Sequence, residues 1–260
     1  MAENKDLTDD LEKEDLIDRD DIIEEPEKEI EINDPVLLYN MGNAEGMLHN
    51  FVKAFEYFLK AAKMGYAPAQ CNLGFCYEKS MGVPQDFRKA AEYYQKAAAQ
   101  GYAPAVCNLG WCYEGGNGVD ADMDKAIEYY QKAAEQGYPP AMGNLGFCYG
   151  NAVGVKKDLE EAYQWYRKAA LHGNVFGQYN LGDCYEFGKG VAPNIEKAIE
   201  WYKKSAEHGY AQAQNQLGHC YENGIGVTKN NLKAYEWYNY AAGQGEPCAI
   251  VNLERLKKKK

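Results

Sequence analysis

The sequence predicts an all-α protein, a solenoid of stacked helix-turn-helix units of 36 residues each. Three observations carry that prediction. Leu73, Leu109, Leu145, Leu181, Leu217 and Leu253 recur at a constant step, as do Gly65, Gly101, Gly137, Gly173, Gly209 and Gly245. Tyr77, Tyr113, Tyr149, Tyr185 and Tyr221 keep the same step, each beside a cysteine of the series Cys76, Cys112, Cys148, Cys184 and Cys220. Within a unit the apolar residues fall three and four apart, the spacing of one helix face. The register is expected to run unbroken from Leu37 to Leu253.

The second unit shows the elements in order. Ala67-Pro68-Ala69 opens a first helix, A, because proline costs no hydrogen bond in a first turn. Ala69, Leu73 and Cys76 line one face, and the helix runs to about Glu78. Residues 79–84 form a turn, with Gly82 here and pairs such as Gly116 and Gly118 later, where other residues resist the backbone angles. Val83, Val119, Val155, Val191 and Val227 are expected to plug the space under that turn. Asp86 then caps a second helix, B, by accepting from free first-turn N–H groups; Asp122, Asp158, Asn194 and Asn230 hold the same place. Helix B carries Ala90, Tyr93, Tyr94, Ala97 and Ala98 and ends at Gly101 in a left-handed cap. Gly74, Gly110, Gly146, Gly182 and Gly218 stand inside helix A, each costing ~1 kcal/mol against alanine. A cost repeated in unit after unit predicts a close crossing by a tyrosine ring or a helix backbone.

This organisation divides the chain into an acidic segment at 1–33, a solenoid at 34–256 and a lysine tail at 257–260. Repeats are expected at 31–66, 67–102, 103–138, 139–174, 175–210 and 211–246, with a capping helix at 247–256. The first unit has Leu37-Leu38-Tyr39-Asn40-Met41 in place of the Leu-Gly run, which fits a terminal cap. Stacked units leave no enclosed central pocket. They offer a long concave groove suited to a peptide, a helix or another domain. The expected partner is thus a protein or peptide, bound by a monomer without a cofactor.

Composition narrows the function further. Hydrophobic residues at 46% and charged residues at 26% are ordinary for a globular protein. No run approaches the ~18 apolar residues of a membrane span, and Met1-Ala2-Glu3-Asn4-Lys5-Asp6 holds no apolar signal core. A cytoplasmic location away from membranes is therefore expected. The net charge of −11 resides in residues 1–34, which carry 16 acidic and 4 basic residues. The near-neutral remainder lacks the basic stripe that nucleic acid requires. The charged, aromatic-poor segment reads as disordered. It serves solubility, or docking through Leu7, Leu11, Leu16 and Ile17. Lys257 to Lys260 suit a helix C-terminus.

The run Ala105-Val106-Cys107-Asn108-Leu109-Gly110-Trp111-Cys112-Tyr113-Glu114-Gly115-Gly116-Asn117-Gly118-Val119 resembles the Sel-1-like repeat family, relatives of the tetratricopeptide repeats. Asp122, Lys125-Ala126, Tyr129-Tyr130, Lys132-Ala133-Ala134 and Gly137 complete the signature, and the resemblance spans roughly Asp34 to Leu256. It implies a right-handed superhelix and a non-enzymatic adaptor or scaffold. It also suggests two alternatives: a secreted effector acting on host proteins, or a β-lactam-binding or hydrolysing enzyme of a cysteine-rich branch. In that branch two cysteines per repeat tie helix A to helix B, and helix B has none here. Only Ser80 and Ser205 occur, and neither begins the S-x-x-K of a serine β-lactam enzyme. Ser205 stands where alanine is usual, and Gly150 replaces the usual glutamate.

The eight cysteines read as buried, reduced thiols. Successive A helices lie on the order of 10 Å apart, beyond the ~7 Å reach of a disulfide between Cα atoms. Cys71 and Cys76 point about 140° apart on one helix. His49, His172, His208 and His219 form no metal set. Tyr77, Tyr94 and their equivalents read as core, because they recur at fixed interior positions.

Binding residues are expected where units differ while the scaffold repeats. Opposite the Ala69–Leu73–Cys76 face, the variable columns are Phe75, Trp111, Phe147, Asp183 and His219, and a second containing Tyr179. Glu78, Glu114, Glu186 and Glu222 form a third, expected as an exposed rim. The aromatic members either form a partner-binding strip or pack against the next unit.

Overall fold

The structure is a computed structural model and describes residues 33–258. The acidic segment up to residue 32, and the last two lysines, lie outside the described residues. Among the described residues there are thirteen helices and no strand. Seven are of type A: α1 (Pro35–Met47), α3 (Ala67–Lys79), α5 (Ala103–Gly115), α7 (Pro139–Asn151), α9 (Val175–Phe187), α11 (Ala211–Asn223) and α13 (Pro247–Lys257). Six are of type B: α2 (Phe51–Lys63), α4 (Phe87–Ala99), α6 (Met123–Glu135), α8 (Leu159–Leu171), α10 (Ile195–Glu207) and α12 (Asn231–Gly243). Each helix packs chiefly on the helices before and after it in the chain, with α7 also touching α9. That neighbour-to-neighbour packing makes the array a helical repeat solenoid.

Local chemistry sets the helix boundaries as expected. The Asp86 carboxylate accepts from the Lys89 N–H at 3.0 Å, and Asp122, Asp158, Asn194 and Asn230 cap their B helices in the same way. The N–H of each of these caps also donates to the carbonyl of the tyrosine that ends the Leu-Gly-x-x-Tyr run, as Asp122 does to Tyr113 at 2.9 Å. From the second unit onward two residues of each A–B turn have positive φ, whereas the short first turn has only His49 (φ 61°). Of the two, the second is always glycine, whereas the first is Ser80 (φ 58°) or Ala152 (φ 58°) in two units. Glycine is obligatory only at the second position. A Cβ on Gly118 would lie 1.9 Å from the Phe87 carbonyl oxygen of the preceding unit. At Gly82, Gly118 and Gly190 the turn is thus wedged against the backbone at the start of the B helix before it, whereas Gly154 and Gly226 meet side chains of that helix.

The glycines inside helix A serve the crossing they predicted. A Cβ on Gly110 would meet the Tyr130 ring at 2.8 Å and the Ala126 carbonyl oxygen at 3.1 Å. Gly74, Gly146, Gly182 and Gly218 stand likewise against Tyr94, Tyr166, Tyr202 and Tyr238. These rings, the Leu73 column and the alanines at 69, 105, 141 and 213 form the buried spine. Ser205 replaces a fully buried alanine, and its hydroxyl donates to the Val175 carbonyl at 2.8 Å. The half-buried valines under the turns pack as expected, Val191 and Val227 directly against the core. The lysine of the Lys-Ala pair in helix B lies over the helix A tyrosine, Lys125 at 5.2 Å from the Tyr113 ring centre.

The register of the first unit differs from expectation. From α3 onward each A helix begins 36 residues after the last, but α1 begins at Pro35 rather than at position 31. Its turn to α2 spans residues 48–50, against 80–86 in the next unit. The equivalent of Gly74 is therefore Gly42, whose Cβ position lies 2.6 Å from the Phe58 ring, and Leu37 is not the counterpart of Leu73. Leu37 is in fact exposed, and Leu38 is buried.

The cysteines are free thiols, seven of them buried and Cys248 exposed. Burial raises Cys71, Cys107, Cys112, Cys148, Cys184 and Cys220 to about 12, and Cys76 to about 11. Thiolate is the reactive form. One maleimide is therefore expected to add to the folded protein at pH 8, at Cys248, and eight after unfolding. Fast labelling of any A-helix thiol in the native state would contradict the packing.

Candidate functional site

The column Phe75, Trp111, Phe147, Asp183 and His219 occupies one helical position on α3, α5, α7, α9 and α11. It is the outward edge of the A helices, one residue before the buried cysteine column. Phe75 and Phe147 are 42% and 41% exposed, enough to contact a partner, and His219 is exposed. Trp111 is half-buried. Its ring sits 6.4 Å from Phe87 and beneath the Lys79 ammonium at 5.8 Å. Asp183 is held internally, accepting from the Tyr202 hydroxyl at 2.7 Å and from Lys189 at 3.3 Å.

The other two columns turn inward. Cys71, Cys107 and Gly143 are buried, and Tyr179 is half-buried between Tyr202 and Tyr210 at 5.7 and 5.5 Å. The glutamates do not form an exposed rim. Glu78 and Glu222 are 7% and 6% exposed, and Glu114 and Glu186 are half-buried. Each accepts from the hydroxyl of the tyrosine that crosses the helix A glycine: Tyr94 to Glu78 at 2.7 Å, Tyr130 to Glu114 at 2.5 Å, Tyr202 to Glu186 at 2.6 Å and Tyr238 to Glu222 at 3.1 Å. A phenol buried at the crossing needs an acceptor, and the carboxylate one turn beyond the glycine supplies it. Burial and then the carboxylate raise the Tyr94 and Tyr130 hydroxyls far above the ordinary tyrosine value, so both stay protonated donors. Glu222 is also clamped by the Arg255 guanidinium from α13, which ties the last helix to the stack.

The fourth unit breaks the pairing. Gly150 stands where the glutamate would be, and a cleft of about 440 Å³ opens there between α7, α8 and α9. Phe147 and Asp183 line it, together with Tyr166, Phe176, Asn180, Lys157 and Lys189, which sequence reasoning did not bring together. The signal that could have found them was the single gap in the glutamate column at Gly150. Among the described residues no group of three or more His, Cys, Asp or Glu could hold a metal ion, and no helix is long and apolar enough to cross a membrane.

Stacked helix pairs with a varied outer column on a constant spine define a helical repeat solenoid, a fold that commonly serves as a protein-interaction scaffold. The chain belongs to the Sel1 repeat family, whose repeat matches residues 37–66, 67–102, 103–138, 139–174, 175–210 and 211–246. It is similar to the crystal structure of a Sel1 repeat protein from Oxalobacter formigenes, at 32% identity and a TM-score of 0.70 over 83% of this chain and 86% of that one. It is also similar to a protective antigen of uropathogenic Escherichia coli with an SLR fold, at 36% identity and a TM-score of 0.66 over 85% of this chain. The match spans 48% of that antigen, about half its length. An immunity protein from Pseudomonas aeruginosa shares the fold at 22% identity and a TM-score of 0.60, covering 83% of each chain. No curated protein matches this chain.

Proposed function

We propose that the protein is a scaffold that binds a peptide or protein partner along the concave side lined by the A helices, rather than an enzyme. One observation carries this reading. Phe75 and Phe147 keep large apolar rings exposed at the same position of α3 and α7, in which no other large apolar residue is exposed. Isolated exposed rings mean little, but aromatic anchors in register on a rigid scaffold are the usual makings of a binding hot spot. On this reading the repeats at 34–256 do the binding in a cytoplasmic monomer. Trp111 and His219 extend the strip, Tyr179 packs the seam beneath it, and the glutamates keep the scaffold rigid.

The test is partner capture by the full chain, compared between wild type and the double variant Trp111→Ala, Phe147→Ala. Capture is expected to weaken by at least about tenfold while far-ultraviolet circular dichroism stays unchanged. Lost helicity would assign both rings to the core. Unchanged capture would remove the strip from the binding surface.

A further inference from the structure

The solenoid repeats one hydrogen bond at four places and omits it at a fifth. Tyr94, Tyr130, Tyr202 and Tyr238 each donate to a glutamate, but the corresponding glutamate of Tyr166 is Gly150. Tyr166 is 6% exposed, and its hydroxyl has no hydrogen-bond partner among the described residues although the ring lines the cleft. Among the described residues the buried polar side-chain atoms without a partner are Trp165 Nε1 and Gln178 Oε1, so the Tyr166 hydroxyl is not sealed away but opens on the cleft as a donor that an entering acceptor can meet. The first unit shows that a hydroxyl is not needed for folding, since Phe58 crosses Gly42 there.

The cleft walls say what would fit. Lys157 and Lys189 supply two positive charges against the single carboxylate of Asp183, which is already engaged by Tyr202 and Lys189. Phe147 and Phe176 supply the apolar flanks. Phe176 gains its place because Gly143 leaves room, a Cβ there lying 3.1 Å from the ring. Asn180 turns back to the Phe176 carbonyl at 2.8 Å, whereas Asn108 and Asn144 reach the cysteine of the preceding unit. The break in the pattern is thus a local rearrangement of several residues that leaves an open space where the other units hold a glutamate.

We infer that this cleft is a subsite for a carboxylate, carried by a glutamate side chain of the peptide ligand. That group takes the place that Glu78, Glu114, Glu186 and Glu222 fill in the other units. The Tyr166 hydroxyl donates to the incoming oxygen, and the lysines compensate its charge. Aliphatic residues beside that glutamate lie on Phe147 and Phe176. This inference rests on the peptide-binding reading above and assigns one chemical contact within it.

The experiment titrates the full chain, isotopically labelled for NMR, with acetyl-Leu-Glu-Leu-amide and with the glutamine analogue. Saturable shifts are expected at Gly150, Tyr166 and Asn180 with the glutamate peptide, and binding at least about tenfold weaker with glutamine. Tyr166→Phe is expected to reduce the affinity to a similar degree. Gly150→Glu fits, because the added Cβ meets only Ala162 at 3.6 Å and the Tyr166 hydroxyl at 3.9 Å. It supplies the carboxylate internally, so it should raise the melting temperature and abolish peptide binding. Equal affinity for the two peptides, undiminished binding to Gly150→Glu, or no shift with either peptide overturns the subsite. The natural partner is absent from this titration. Its failure therefore leaves the broader reading to the capture experiment, and failed capture leaves the titration result intact.

Discussion

Raising the pH from 8 to 12 is expected to unfold the protein cooperatively without denaturant. Seven thiols are buried in the array, and desolvation raises six of them from 9.0 to about 12 and Cys76 to about 11. The folded chain holds these protons where the unfolded chain releases them. The stabilisation is fully present below pH 9, the unfolded value, and is lost as the pH climbs towards the folded values. The slope reaches about 1.4 kcal/mol per pH unit for each thiol. A domain stable by ~5–15 kcal/mol cannot absorb several such slopes at once. The buried tyrosines, raised first by desolvation, act in the same direction. Urea midpoints measured from pH 8 to 11 should fall steeply above 9, and Cys112→Ala should flatten the curve by one thiol's share. A midpoint constant to pH 11 would mean that these cysteines are hydrated.

Gly118→Ala is expected to destabilise the protein by about 3 kcal/mol or more, and Gly190→Ala by a similar amount. Both residues have positive φ, at 80° and 71°, which costs about 1–3 kcal/mol for a residue with a side chain. The larger effect is steric. The new Cβ would lie 1.9 Å from a backbone oxygen, of Phe87 for Gly118 and of Leu159 for Gly190, and backbone cannot rotate away. The A–B turn would have to lift from the preceding unit and open the stack. Gly137→Ala isolates the strain, since its φ is 82° but nothing lies within 4 Å of the added atom. Urea denaturation of the three variants separates the two effects. A Gly118→Ala cost no greater than that of Gly137→Ala would show that the turn is not wedged.

Much of the scaffold was legible because it is local. Asp86 and its equivalents cap because a carboxylate or amide can reach an N–H three residues on, and no tertiary fact is needed. The mid-helix glycines announced a crossing because their cost demanded a reason. Two readings failed where the deciding distances are not local. Leu37 matched Leu73 by counting, but the first turn is four residues shorter, so the crossing under Phe58 falls at Gly42. The glutamate column was expected outside because charge favours water, but Glu78 lies against the Tyr94 hydroxyl, sixteen residues away, and is buried there.

The sequence by itself determined the unit, its caps, its glycine crossings and the number of times it repeats. A regular spacing written into 36-residue steps is read directly as a face, a turn and a stack. Only the tertiary structure decided which variable residues remain available. Exposure depends on what the neighbouring unit places overhead: Phe87 of the preceding unit half-covers Trp111, while Phe75 and Phe147 stay open. The cleft beside Tyr166 is the sharpest instance. A missing glutamate is one letter in the chain, but whether it leaves a filled core or a charged, aromatic-walled space depends on how side chains from three helices pack around the gap.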